Sequence, residues 1–167
     1  MLRSRGIARF LHLTDARLSG RIRRNGIGPP SGRHADGFIY CVPVTPNFFG
    51  TFQWGRELRR SGYRSSVAVI FVIPDTEAVL VGRYGTEGEA MTAAEAVAHF
   101  SDTAETLGHQ VRIGRKIEAR EIRSIRPAPS LVGWRFYPEA KGQPALWAPP
   151  GTINSRRIRA RIDARYD

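Results

Sequence analysis

The chain has 167 residues and a mass of 18.6 kDa, which suits one compact domain. Its 41% hydrophobic, 10% aromatic and 25% charged residues exclude disorder throughout and supply a sizeable core. The net charge of +11, from 24 Arg and 2 Lys against 15 acids, favours solubility and polyanionic partners and is silent on fold.

Residues 7–13 read as a first strand. Asp15 serves as N-cap to a short helix reaching Asn25, with Leu18 and Ile22 one turn apart, a mostly arginine outer face, and Gly26 as the stop. The Gly- and Pro-rich stretch 26–32 is a loop leading into an apolar strand over 38–44, in which Cys41 is a buried small hydrophobe. Thr45 and Pro46 supply the N-cap and first residue of a helix bearing Phe48, Phe49, Phe52, Trp54 and Leu58, and Gly62 marks its end.

The unbroken apolar run 67–73 predicts a central strand, and after the Pro74-Asp75 turn a further strand covers 78–81. Thr92 and Glu95 form a capping box for a helix whose apolar face is Ala93, Ala96, Val97, Phe100, Ala104 and Leu107. Gly108 stops that helix, 109–113 alternates as a strand, and 117–126 holds a turn and one more strand. Prolines at 127, 129, 138, 144, 149 and 150 break regular structure, so Trp134, Phe136, Tyr137 and Trp147 cover the core or, in the alternative, form a platform for bases. The expected organisation is one α+β domain over 1–150 and an Arg-rich tail over 151–167, either a basic helix or an arm that orders on a partner.

One cysteine excludes an intramolecular disulfide and a thiolate zinc cluster, and fits a reducing compartment. The four histidines lack metal-ligand spacing, and no apolar run approaches the ~20 residues of a membrane span. Arg3, Arg5 and Arg9 are followed by no apolar signal region, so the expected location is the cytoplasm.

Charge is unevenly placed. Residues 1–33 carry +7 and residues 153–167 carry +3, while the 119 residues between them carry 13 bases and 12 acids. A GC-rich genome would favour Arg over Lys everywhere; it would not gather the excess at two ends. The distribution predicts a basic, phosphate-binding surface built from Arg21, Arg23 and Arg24 with Arg156, Arg157, Arg159 and Arg161.

Strand alternation puts His12 and Thr14 on one face of the first strand, Phe38, Tyr40 and Val42 on one face of the second, and Gln110 with Arg112 on one face of the late strand. Such residues line a cleft if their faces converge; the plainer reading is packing with satisfied polar atoms. Glu95 already has its capping role.

The order His12-Leu13-Thr14, helix, Ile39-Tyr40-Cys41-Val42, then the helix with Trp54-Gly55-Arg56-Glu57-Leu58 resembles the ADP-ribosyltransferase superfamily over residues 7–126. The resemblance implies a split, mixed β-sheet fold that grips NAD as co-substrate, with no metal, and a His-Tyr-Glu type triad drawn from three strands. In that pattern His12 and Thr14 hold NAD, His12 through the adenosine-side ribose. Tyr40 stacks nicotinamide, and Gln110 occupies the third catalytic position.

Glutamine there departs from the usual Glu. A carboxylate stabilises the oxocarbenium-like charge that develops as nicotinamide leaves, whereas an amide keeps only the hydrogen bond. The change points to mono-transfer rather than chain elongation, or to an inactive binder, with Glu105, Glu118 or Glu121 as carboxylates from outside the strand. The basic ends point to a nucleic-acid acceptor in a toxin-like or defence-type branch, with an antitoxin or immunity protein as a further partner. The alternatives are an NAD-dependent RNA 2′-phosphotransferase, for which Arg9, Arg112 and Arg115 are the available cleft cations, and a non-catalytic nucleic-acid-binding module.

Overall fold

The computed structural model describes residues 6–33, 35–45, 54, 55, 58, 67–101, 106 and 108–128. Strand β1 (Ile7–Thr14) is followed by a 3-10 turn (Ala16–Leu18) and helix α1 (Ser19–Asn25); then come β2 (Ile39–Pro43), β3 (Val67–Pro74), β4 (Ala78–Arg83), β5 (Glu89–Thr92), α2 (Ala93–His99), β6 (His109–Ile113), a 3-10 turn (Ala119–Glu121) and β7 (Ile122–Pro127). The strands form one seven-stranded sheet in the order β5-β4-β6-β2-β1-β3-β7.

Every described pairing is antiparallel, which corrects the expected mixed sheet. β3 lies between β1 and β7, one place from the edge rather than at the centre, and β2 holds the middle. Its long apolar run answers to burial on both faces, which a penultimate strand under cover also has. β5 was not expected: it is short, Glu89 and Ala90 are exposed, and it pairs only with β4, so neither apolar alternation nor length marks it.

The core is built where bulky side chains meet across β1 and β3. Phe10 stands opposite Phe71, both fully buried, with ring centroids 6.0 Å apart. Fully burying each ring contributes about 2 kcal/mol. Ile73, Val69, Val111, Ile113 and Ile117 continue the same cluster, and Cys41 lies within it, its thiol pKa pushed up by burial.

Asp15 caps the 3-10 turn by accepting from the Arg17 N–H at 2.9 Å, so the expected helix begins one turn late and is split in two. The capping box of α2 is complete: the Glu95 N–H donates to Thr92 Oγ1 at 3.2 Å, and the Thr92 N–H to Glu95 Oε2 at 2.7 Å. Thr92→Ala removes one half of it and should cost about 1 kcal/mol in urea-induced unfolding. Arg115 fastens the turn after β3 to the approach of β7, bonding both oxygens of Glu77 and of Glu121 at 2.6–2.8 Å. Trp54, Gly55 and Leu58 are helical; the rest of the expected aromatic helix, the proline-rich segment after Ala128 and the Arg-rich segment lie outside the described residues. α2 is shorter than the expected run to Leu107: it ends at His99 with Phe100 as its C-cap, Ser101 is in a turn and Thr106 is not helical.

Candidate functional site

β1 and β2 pair only at Phe10–Pro43 and Leu11–Val42. Beyond Leu11 the ladder stops, although β1 continues against β3 to Thr14 and β2 continues against β6 from Ile39. A cavity of about 580 Å³ opens along this gap. Consecutive residues of both strands line it, Leu11 to Thr14 on one side and Phe38 to Val42 on the other, as expected when a cavity follows two strand edges rather than one pleat face. Its size falls within the range of small-molecule and cofactor sites.

His12, Thr14, Tyr40 and Gln110 all line this cavity. Register alone does not bring them together. Leu11 opposes Val42 and Tyr40 opposes Arg112, so the pleat face of Tyr40 and Gln110 belongs on β1 to Leu11 and Leu13. His12 joins the group because the strands part beside it. Its ring crosses the gap and Nδ1 donates to the Tyr40 carbonyl at 2.7 Å, a hydrogen bond that replaces the missing ladder. The carbonyl can only accept, so the proton sits on Nδ1 and Nε2 keeps its lone pair. Desolvation lowers the His12 pKa, partly opposed by this bond, and the ring is neutral.

Tyr40 donates its hydroxyl to the Asp36 carboxylate, which also accepts the Phe38 N–H at 3.1 Å. Desolvation and then this bond push the Tyr40 pKa up to about 12, while the same bond lowers that of Asp36. Tyr40 is therefore a neutral, fixed ring. Gln110 is 7% exposed, and no hydrogen bond holds its amide among the described residues, so it is available to a bound molecule. Thr14 is buried and lines the cavity from the β1 side.

The opposite wall comes from α1 and the loop behind it. Ile22 packs inward while Arg21 reaches the cavity margin. Gly26, at φ 77° and ψ −168°, ends α1 and turns the chain so that Ile27 and Ile117 exchange hydrogen bonds of 2.8 and 2.9 Å. That clasp holds Gly26 to Ser31 against the cavity.

Arg23 and Arg24 are exposed on α1. Arg156, Arg157, Arg159 and Arg161 lie outside the described residues, as does Glu105. Glu118 and Glu121, considered as substitute carboxylates, do not line the cavity: Glu121 is held by Arg115 and Glu118 pairs with Lys116. The cleft cation is likewise different from those expected. Arg9 and Arg115 do not line the cavity, and Arg112 braces it from outside, its guanidinium 5.5 Å from the Phe38 ring centroid and donating to the Glu87 carbonyl. Arg21, on α1, is the cation of the described lining.

Trp54 and Tyr84 also line the cavity, and sequence reasoning missed both as site residues. In the sequence Trp54 reads only as one of the aromatics of its helix. Tyr84 carried a usable signal, a large aromatic in the polar, glycine-bearing stretch Arg83-Tyr84-Gly85 that follows the predicted strand 78–81.

The described lining contains hydrogen-bonding and aromatic groups, one cation and no carboxylate. It can bind a sugar and a planar ring and can orient a leaving group, without a fixed negative charge. Among the described residues no helix is long and apolar enough to cross a membrane, and no group of three His, Cys, Asp or Glu is placed to hold a metal ion. Comparison with protein-family models, with curated proteins and with solved structures finds no match.

Proposed function

We propose that the protein is an NAD-dependent mono-ADP-ribosyltransferase that modifies a nucleic acid. One observation carries this reading: His12, Thr14, Tyr40 and Gln110, chosen from sequence on three separate strands, line a single cavity. A sheet that parts between β1 and β2, with that cavity along the gap, supports the split-sheet fold that the resemblance implies.

In this reading Tyr40 offers its face to nicotinamide, His12 and Thr14 hold the adenosine-side ribose, and Gln110 hydrogen-bonds the nicotinamide ribose. The bond between the ribose C1′ and the nicotinamide nitrogen breaks, its electron pair neutralises the pyridinium, and an acceptor nucleophile attacks C1′ and releases its proton to solvent. Tyr40 and Gln110 are neutral, so the site stabilises the oxocarbenium-like centre through dipoles. The exposed arginines of α1, with Arg21 at the cavity margin, supply the attraction for a phosphate backbone, and NAD binding should be less salt-sensitive than acceptor binding.

The test is incubation with NAD labelled in the ADP-ribose moiety together with DNA or RNA. Label should pass to nucleic acid or appear as free ADP-ribose; absence of both transfer and NAD hydrolysis defeats the proposal. Gln110→Glu should raise NAD hydrolysis about tenfold by restoring a negative charge beside the ribose, measured as nicotinamide release. A fall in that rate would show that the amide is the group the reaction needs.

A further inference from the structure

Tyr84 is the most exposed large hydrophobic residue described, at 75%, and it stands on the wall of the cavity. It is presented on a defined turn. Its own N–H donates to the Gly108 carbonyl at 3.0 Å, the Thr86 N–H and hydroxyl both bond the Arg83 carbonyl, and Gly85 takes the positive φ of 80° that closes the turn.

Its inner neighbour is Trp54, with ring centroids 6.0 Å apart and planes at 55°, and the Trp54 indole N–H donates to the His109 carbonyl at 2.8 Å. Both aromatics are thus anchored to residues 108 and 109, directly before Gln110. Arg21 belongs to the same lining, and Arg83, exposed, precedes Tyr84. Neither arginine has an ion pair among the described residues.

An aromatic ring three-quarters exposed on the cavity lining, with Arg21 in the same lining and the exposed Arg83 next to it in the chain, matches what an unpaired base with its flanking phosphates requires. We infer that Tyr84 is the stacking residue for an unpaired base of the acceptor, and that the substrate is single-stranded nucleic acid. This deepens the transferase reading and rests on it for the word acceptor; the binding itself does not depend on NAD. Paired bases inside a duplex are poor partners, because such a base has both faces already stacked.

The experiment is fluorescence anisotropy of labelled short oligonucleotides, in DNA and RNA form, titrated with the whole chain in the absence of NAD. The probes are a mixed-sequence single strand, the corresponding duplex and an abasic single strand. Tyr84→Ala should weaken binding of the single strand about tenfold, and Tyr84→Phe should retain it, with thermal melting of both variants matching the parent. Binding of the duplex and of the abasic strand should be the same for Tyr84→Ala and the parent chain. Equal affinity of Tyr84→Ala and parent for the mixed-sequence strand overturns the inference, as does an equal loss on the abasic strand, which would make Tyr84 a backbone contact. A chain that binds single strands through Tyr84 but releases no nicotinamide from NAD overturns the transferase reading and leaves this one standing.

Discussion

His12→Ala should lower NAD turnover by about a hundredfold or more, measured as nicotinamide release at saturating NAD, the scale on which single oriented hydrogen-bonding groups act in transition-state stabilisation. Two effects combine. The substitution removes the imidazole from the cavity lining, and it leaves the Tyr40 carbonyl without its 2.7 Å partner at the point where β1 and β2 separate. His12→Gln should recover part of the stability and little of the turnover, because an amide can reach the carbonyl but does not reproduce the imidazole's second nitrogen.

The pH dependence has a definite sign. Desolvation holds the folded-state His12 pKa below 6.5, so the unfolded chain takes up a proton first as the solution is acidified. The contribution of His12 to stability is therefore complete above pH 6.5 and declines as pH falls from 6.5 toward the lowered folded value. Thermal melting across that window should show a downward slope that is shallower in His12→Gln, and an unchanged slope would mean that the ring is not held neutral.

Gly26→Ala should destabilise the chain by about 3 kcal/mol, read as a lower urea midpoint. At φ 77° and ψ −168° the backbone is in a region that only glycine enters without strain. A methyl group there would also lie 2.0 Å from the Ile117 carbonyl oxygen, so the Ile27–Ile117 exchange has to open. Because this clasp holds the loop 26–31 on the cavity wall, NAD affinity should fall together with stability. Gly28→Ala is the control: nothing lies within 4 Å of its added carbon, and its cost should stay within about 0.5 kcal/mol. Equal effects at the two positions would remove the clasp from the account.

Much of the local structure was legible in the residues. Thr92 and Glu95 announce α2 because a capping box is a contact between near neighbours, and Gly26 ends α1 because it takes a positive φ, whereas Gly108 does not end α2, which stops at His99. The apolar runs of β1, β2 and β3 sit where periodicity puts them. The strand β5 escaped because an edge strand of four residues needs little apolar pattern, and Tyr84 and Trp54 escaped as site residues because their use depends on residues 108 and 109, far along the chain. Glu121 was weighed as a catalytic carboxylate; only the fold reveals that Arg115 holds it away from the cavity.

The sequence by itself determined the α+β class, the elements of the first strand and helix, and the concentration of positive charge at the two ends, because each depends on residue type and short-range spacing. It also put His12, Tyr40 and Gln110 on three separate strands. Tertiary structure alone decided that these strands are neighbours, in the order β6-β2-β1, and that β1 and β2 part after Leu11. That parting is the physical reason for the site. Alternation within continuous ladders would leave His12 on the face opposite Tyr40 and Gln110; an opened ladder frees the strand edges and lets residues from both faces line one cavity.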